Sequence, residues 1–210
     1  MGAIEFALSY LLNNPQKIPE KYFPYFKDYY IQVDRNILQF QEDKAKYNSD
    51  LFYTLLPGRF TFENREFQNA FEVNSMGFRD DEASLNAPEI VVLGDSYGMG
   101  WGVDQDSTFA QQLERLSGKK VLNAGVSSYG TAREMKALEN LDLSKLQYLI
   151  IQYCNNDFEE NQSFYQSKNQ LNISSEEVYR SISKDAEEVN AYFFMKHFSY
   201  LGNAYFLEGK

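Results

Sequence analysis

The sequence predicts an α/β fold built on a parallel sheet, and three observations carry that expectation. Short apolar, β-branched runs at 90–93, 120–123 and 148–153 have the length and character of buried strands. Helical sequence separates them at about 107–117 and 131–141, as crossovers between parallel strands require. Each run also ends in small polar residues, Gly94-Asp95-Ser96, Ala124-Gly125 and Asn155-Asn156-Asp157. The carboxyl ends of parallel strands are where such sheets gather functional groups.

Composition sets the limits. The 210 residues suffice for one full domain and an appendage, and 43% hydrophobic with 24% charged residues is ordinary for a folded chain. A formal charge of −10 without any Lys/Arg block repels phosphate backbones and anionic lipid heads, which argues against nucleic acid as a partner. The single cysteine, Cys154, allows no intramolecular disulfide and no Cys-based zinc site, and it reads as a small core residue. No run approaches the roughly 20 apolar residues of a membrane span. The apolar stretch 3–12 contains Glu5 and lacks a basic leader, so it reads as an amphipathic helix, not a signal peptide.

Three regions follow from composition: an aromatic-rich extension over 1–73, an α/β core over 74–162 and a helical segment over 163–210. The first holds 16 of the 34 aromatic residues, a density that calls for packing. Pro15, Pro19 and Pro24 bound short helical pieces, 29–47 reads as a helix, and the alternation of 59–73 around Glu63-Asn64 suggests a hairpin. The turn-rich NSMGFRD leads into the core, with Arg79 either clamping that turn or binding an anion. In the first crossover helix Phe109, Leu113 and Leu116 share a face. In the second, Thr131 is the expected N-cap and Glu134 stands where a capping box places its acid. Residues 162–172 read as a polar loop, and the Asn-x-Ser sequons at Asn161 and Asn172 read as loop residues. Ser174 or Ser175 then caps a helix through Ala191, and 192–206 is an aromatic helix or extended stretch.

The chemistry lies at the strand ends. Ser96 follows the first strand at a turn rich in glycine (Gly98, Gly100, Gly102) and is the candidate nucleophile. Its own N–H, the Gly125 N–H and the Asn156 amide are the candidate donors to a tetrahedral oxyanion. Asp95 is expected to bond loop backbone and Asp157 to hold Asn156. Trp101 either lines an acyl or sugar pocket or packs beneath the loop. Nucleotide binding is disfavoured, because Gly98-Met-Gly100-Trp-Gly102 lacks the G-x-G-x-x-G spacing and no phosphate-loop Lys follows.

The runs LGDSYGMGWGV, LNAGVSSYGTARE and IQYCNND, with NSMGFRD before them, resemble the SGNH (GDSL-type) serine hydrolases, over roughly residues 50–162. Gly94-Asp95-Ser96, Asn123-Ala124-Gly125 and Asn156-Asp157 stand for the Ser, Gly and Asn blocks. The resemblance implies a flavodoxin-like three-layer α/β/α sandwich, incomplete toward its C-terminal side here. It also implies cleavage or transfer of an ester-linked acyl group through acyl-Ser96, with no metal or organic cofactor. The branch it resembles carries an aromatic N-terminal extension, and many of its members face the cell envelope on a membrane anchor, which here would lie outside this chain. The Asp-x-x-His block is absent. His197 is the sole histidine, Phe194 stands three residues before it, and its aromatic neighbours mark it as a packed imidazole more than a general base. The chain therefore reads as the front of a longer enzyme or as a domain that has lost hydrolysis. The expected activity is that of an esterase on a small-molecule, glycan or lipid ester. An envelope-polysaccharide O-acetyltransferase and a non-catalytic carbohydrate-binding module are the alternatives.

Overall fold

A computed structural model describes residues 2–208, with the side chains of Asn156 and of residues 203–208 outside that description. In chain order the elements are α1 (Gly2–Leu12), α2 (Phe23–Val33), β1 (Ala45–Asn48), β2 (Phe52–Leu55), β3 (Gly58–Asn64), β4 (Phe67–Val73), β5 (Ile90–Leu93), α3 (Ser96–Met99), α4 (Phe109–Ser117), β6 (Val121–Asn123), α5 (Thr131–Ala137), β7 (Tyr148–Ile151), α6 (Asn155–Gln166), α7 (Glu176–Asn190) and α8 (Lys196–Glu208). Two compact units result, Leu38–Ser183 and Met1–Ile37 with Lys184–Lys210. These limits differ from the compositional ones at 73 and 162. The hairpins of 45–73 fall in the unit of the parallel sheet because they share its core: Tyr53 packs with Val91 and Leu93, and Phe62 and Phe71 cluster with Met99.

In the larger unit the order β6-β5-β7 is fully parallel, with Ile90 opposite both Val121 and Tyr148. The fold is mixed α/β, as the alternation of strands and helices predicts. β5 is the central strand and its four residues are buried, as an apolar run of that length should be when both faces are covered. One face, Ile90 and Val92 with Val121, meets Ala110 and Leu113 of α4. The other, Val91 and Leu93 with Leu122, meets Ala137 of α5, Tyr53 of β2 and Tyr179 of α7. β7 is an edge strand that leaves Tyr148, Leu149 and Ile151 exposed. The β3–β4 hairpin forms as expected, although it turns at Arg65-Glu66, beyond Glu63-Asn64.

In the smaller unit α1, α2 and α8 surround a core of Leu12, Tyr29, Val33 and Leu201. The prolines do bound short pieces, with single 3-10 turns at Pro15–Lys17 and Glu20–Tyr22.

Several local expectations are corrected. The helix expected over 29–47 ends at Val33, and Ala45–Asn48 is a strand because β2 offers it a ladder, Ala45 opposite Leu55. On α4 the residue driven inward is Ala110, while Phe109 and Leu116 are exposed. Residues as far as Gln166 of the expected polar loop belong to α6, so Asn161 is helical and accepts the Ala132 N–H at 3.1 Å. α5 is capped by Gly130, not by Thr131.

Candidate functional site

β5 runs directly into the Ser96 turn. Asp95 is the N-cap of α3, its Oδ1 accepting the Tyr97 N–H at 2.9 Å, so the acid beside the serine does bond loop backbone. The single turn of α3 closes at Gly100, whose φ of +91° favours glycine, and the Gly100 and Trp101 N–H groups donate to Ser96 O. Ser96 is half-buried.

Arg79 holds the far side of this loop. Its Nη1 donates to Gly100 O at 2.6 Å, its Nη2 to Val103 O at 2.8 Å and Ala70 O at 3.2 Å, and its Nε to Gln105 Oε1 at 3.0 Å. The guanidinium lies 3.6 Å from the Phe71 ring centre, and burial lowers its pKa to about 10. Of its two expected roles, the clamp is the one that these bonds occupy. Trp101 packs edge-on against Phe62 of β3 at 4.8 Å and against Phe67 of β4 at 6.0 Å, beneath the loop.

The second loop is stitched to the first. Val126 N donates to Gly94 O at 2.9 Å, continuing the ladder past the strand ends. Gly125 lies against α3 so closely that a Cβ there would come within 2.5 Å of Met99 N, and this approach explains the glycine. The Gly125 N–H, expected to face an oxyanion, donates to Asn123 Oδ1 at 3.2 Å. Asn123 also donates to Met99 O through its amide at 3.3 Å and to Asp80 Oδ2 through its N–H at 2.8 Å. Sequence reading gave Asn123 no role of its own, although it opens the Asn-Ala-Gly block.

The third loop brings Gln152, another residue that sequence reading missed. Its N–H donates to Leu93 O at 3.0 Å, its Oε1 accepts the Gly98 N–H at 2.9 Å, and its Nε2 reaches Cys154 Sγ at 3.0 Å. Burial first, and then a hydrogen bond to Asp95 with that residue's charge, pushes the Cys154 thiol up, the opposite of an activated nucleophile. Asp157 Oδ2 accepts the Cys154 N–H at 2.5 Å and so fixes the start of α6, the turn that carries Asn156. The Asn156 side chain itself lies outside the described residues.

Beneath these loops lies a carboxyl that was expected at a helix cap. Glu134 of α5 is fully buried, and neither of its oxygens has a hydrogen-bond partner among the described residues. Burial raises its pKa to about 8, with the charges of Asp157, Asp95 and Glu160 adding to the effect. A signal was present: Glu134 shares the i, i+3, i+4 stripe of the buried Ala137 and Leu138.

His197 belongs to the smaller unit. Its Nδ1 is 2.7 Å from Glu5 Oε1, and the Tyr29 and Tyr192 rings lie 5.8 Å from its own. It is a packed, paired imidazole. Among the described residues no group of three or more His, Cys, Asp or Glu side chains could hold a metal ion. Neither a protein-family model nor a curated protein matches the chain.

Proposed function

We propose that the chain carries a serine acyl-transfer centre of the SGNH type on a flavodoxin-like core, with Ser96 as nucleophile. The observation that supports this reading is the lacing of three strand ends around one serine turn, Gly94 O to Val126 N and Gly98 N to Gln152 Oε1. In this reading Ser96 Oγ attacks the ester carbonyl as a base takes its proton, the base returns that proton to the departing alcohol, and water or a second hydroxyl then takes the acyl group from acyl-Ser96, its own proton going back to Ser96 Oγ. Water makes the domain an esterase, and a hydroxyl of an envelope polysaccharide makes it an O-acetyltransferase. The oxyanion donors in this scheme are the Ser96 and Gly125 N–H groups with the Asn156 amide, each supplying about 3–4 kcal/mol. The Gly125 N–H must first leave Asn123 Oδ1.

The test is incubation with p-nitrophenyl acetate followed by intact-mass and peptide analysis. Nitrophenol release and an acetyl group on the Ser96 peptide are expected, both lost in Ser96→Ala. Equal release by the two proteins, with no adduct, rejects acyl transfer.

A second reading, a non-catalytic carbohydrate-binding module, is favoured by the Gly125–Asn123 bond, which occupies a donor that catalysis needs. It expects glycan binding that Ser96→Ala leaves unchanged.

A further inference from the structure

We propose that the smaller unit docks on an anionic phospholipid bilayer through the outer face of α1 and the apolar groove beside it. This inference does not depend on what Ser96 does.

The polarity of α1 is inverted. Its only charged residue, Glu5, is 6% exposed, whereas Ile4 is 47%, Phe6 75% and Tyr10 45% exposed. Glu5, Leu8 and Leu12 define the inward face, and Ala3, Phe6, Ala7 and Tyr10 the outward one, the reverse of a helix whose free face meets water. The helix cannot roll to hide Phe6. Glu5 accepts the N–H groups of His197 at 3.1 Å and Phe198 at 2.9 Å besides pairing with the His197 ring, so rotation would break all three bonds at the start of α8.

Next to this face lies a groove of about 230 Å³ lined by Ile4, Leu8, Tyr25, Phe26, Phe198 and Leu201. Apolar cavities of about 150 Å³ already admit a benzene ring, so the groove has room for part of an acyl chain. No described helix is long and apolar enough to cross a membrane.

The aromatic and basic border of this face points to lipid as the occupant. The smaller unit carries only −1 of the chain's formal −10, and between residues 2 and 16 the buried Glu5 is the sole charge. At the rim of the apolar surface the Lys17 ammonium sits 4.5 Å over the Tyr10 ring, and that of Lys21 sits 4.6 Å over the ring of Tyr22, another groove residue. Tyrosine with lysine at the border of an exposed apolar face suits the headgroup layer. There the ring is half immersed and the ammonium meets lipid phosphate.

The experiment is co-sedimentation of the whole chain with vesicles of phosphatidylcholine, alone or mixed with phosphatidylglycerol. Wild type is expected to sediment with vesicles, more strongly when phosphatidylglycerol is present. Ile4→Ser/Phe6→Ser should weaken binding by about tenfold or more. Lys17→Gln/Lys21→Gln should remove most of the gain from phosphatidylglycerol, about fivefold per lysine. Leu116→Ser, at an equally exposed apolar residue of the larger unit, should change nothing. Melting curves show that each variant is folded, and Phe6→Trp supplies a second readout through quenching by brominated lipid. Wild type left in the supernatant with both lipids, double-serine binding equal to wild type, or an unquenched Trp at position 6 overturns the proposal. So does light scattering that shows a dimer dispersed by Phe6→Ser in a chain that ignores vesicles, which would assign the face to a second copy.

Discussion

Gln152 Oε1 accepts the Gly98 N–H at 2.9 Å, which fastens the end of β7 to the middle of the turn that presents Ser96. The bond spans 54 residues and replaces an intrahelical acceptor that a single-turn helix lacks. Gln152→Ala leaves the amide without its acceptor, so a loss of about 1–3 kcal/mol is expected, with faster hydrogen exchange at Gly98. Denaturant melts and amide exchange check this, and unchanged exchange at Gly98 refutes it.

Arg79 bonds three backbone carbonyls and one side-chain amide from full burial. Arg79→Ala strands those acceptors, and about 3 kcal/mol or more of stability should go with them. Arg79→Lys should recover little, since an ammonium cannot reproduce the fork that serves Gly100 and Val103 together. A lysine variant melting close to wild type would refute the fork argument.

Gly125 needs its missing side chain because of a close approach, not an unusual backbone angle. A Cβ 2.5 Å from Met99 N and 2.7 Å from Gly98 C meets backbone, which cannot swing aside. Gly125→Ala is expected to cost about 1–3 kcal/mol and to displace the Ser96 turn. In Gly118→Ala, where nothing lies within 4 Å, the whole penalty comes from a φ of +65°. Thermal melts of both, with acetylation of Ser96 followed in parallel, separate the two causes: only Gly125→Ala should slow acetylation.

What the sequence made legible was local. Ile90–Leu93 could be bounded to the residue because four apolar residues ahead of Gly-Asp-Ser have no other reading. The stretch 29–47 reads as a helix because its apolar positions carry mixed helical spacing, and only the distant partner β2 decides that 45–48 is extended. The same holds at the site. Ser96 and Gly125 announce themselves as a motif, while Asn123, Gln152 and Glu134 acquire their parts from contacts across 24 to 54 residues or from burial that no local pattern fixes.

Glu134 predicts an unusual pH profile. Its folded pKa of about 8 lies above the ordinary carboxyl value of 4.5, so between those limits the native state holds a proton that the unfolded chain has lost. Stability must therefore fall as pH rises from about 5 to 8, with a slope of at most about 1.4 kcal/mol per pH unit for each such group. Asp80, pushed to about 7 by burial, adds to the fall with the same sign. Glu134→Gln keeps the shape and cannot ionise, so it should flatten the profile and leave the Asp80 share. Urea midpoints at pH 5 and pH 8 decide, and a variant with the full wild-type slope excludes Glu134 as its source.

Glu5 works in the opposite sense at the other end of the scale. Burial raises its pKa, but the N–H groups of Phe198 and His197, the imidazole hydrogen bond and the imidazole charge together outweigh burial and hold the carboxyl below its ordinary value. A depressed carboxyl contributes stability that is complete above its unfolded value and is lost as pH falls through the folded one. Glu5→Gln should therefore weaken the smaller unit at pH 7 by about 1.5–3 kcal/mol, the worth of charge-assisted bonds, and the difference from wild type should close in acid. Amide exchange at His197 and Phe198 reads this locally: protected in wild type at neutral pH, opened by Glu5→Gln, and alike in both proteins once Glu5 is protonated. Protection that survives Glu5→Gln at pH 7 would show that α8 starts without its carboxylate cap.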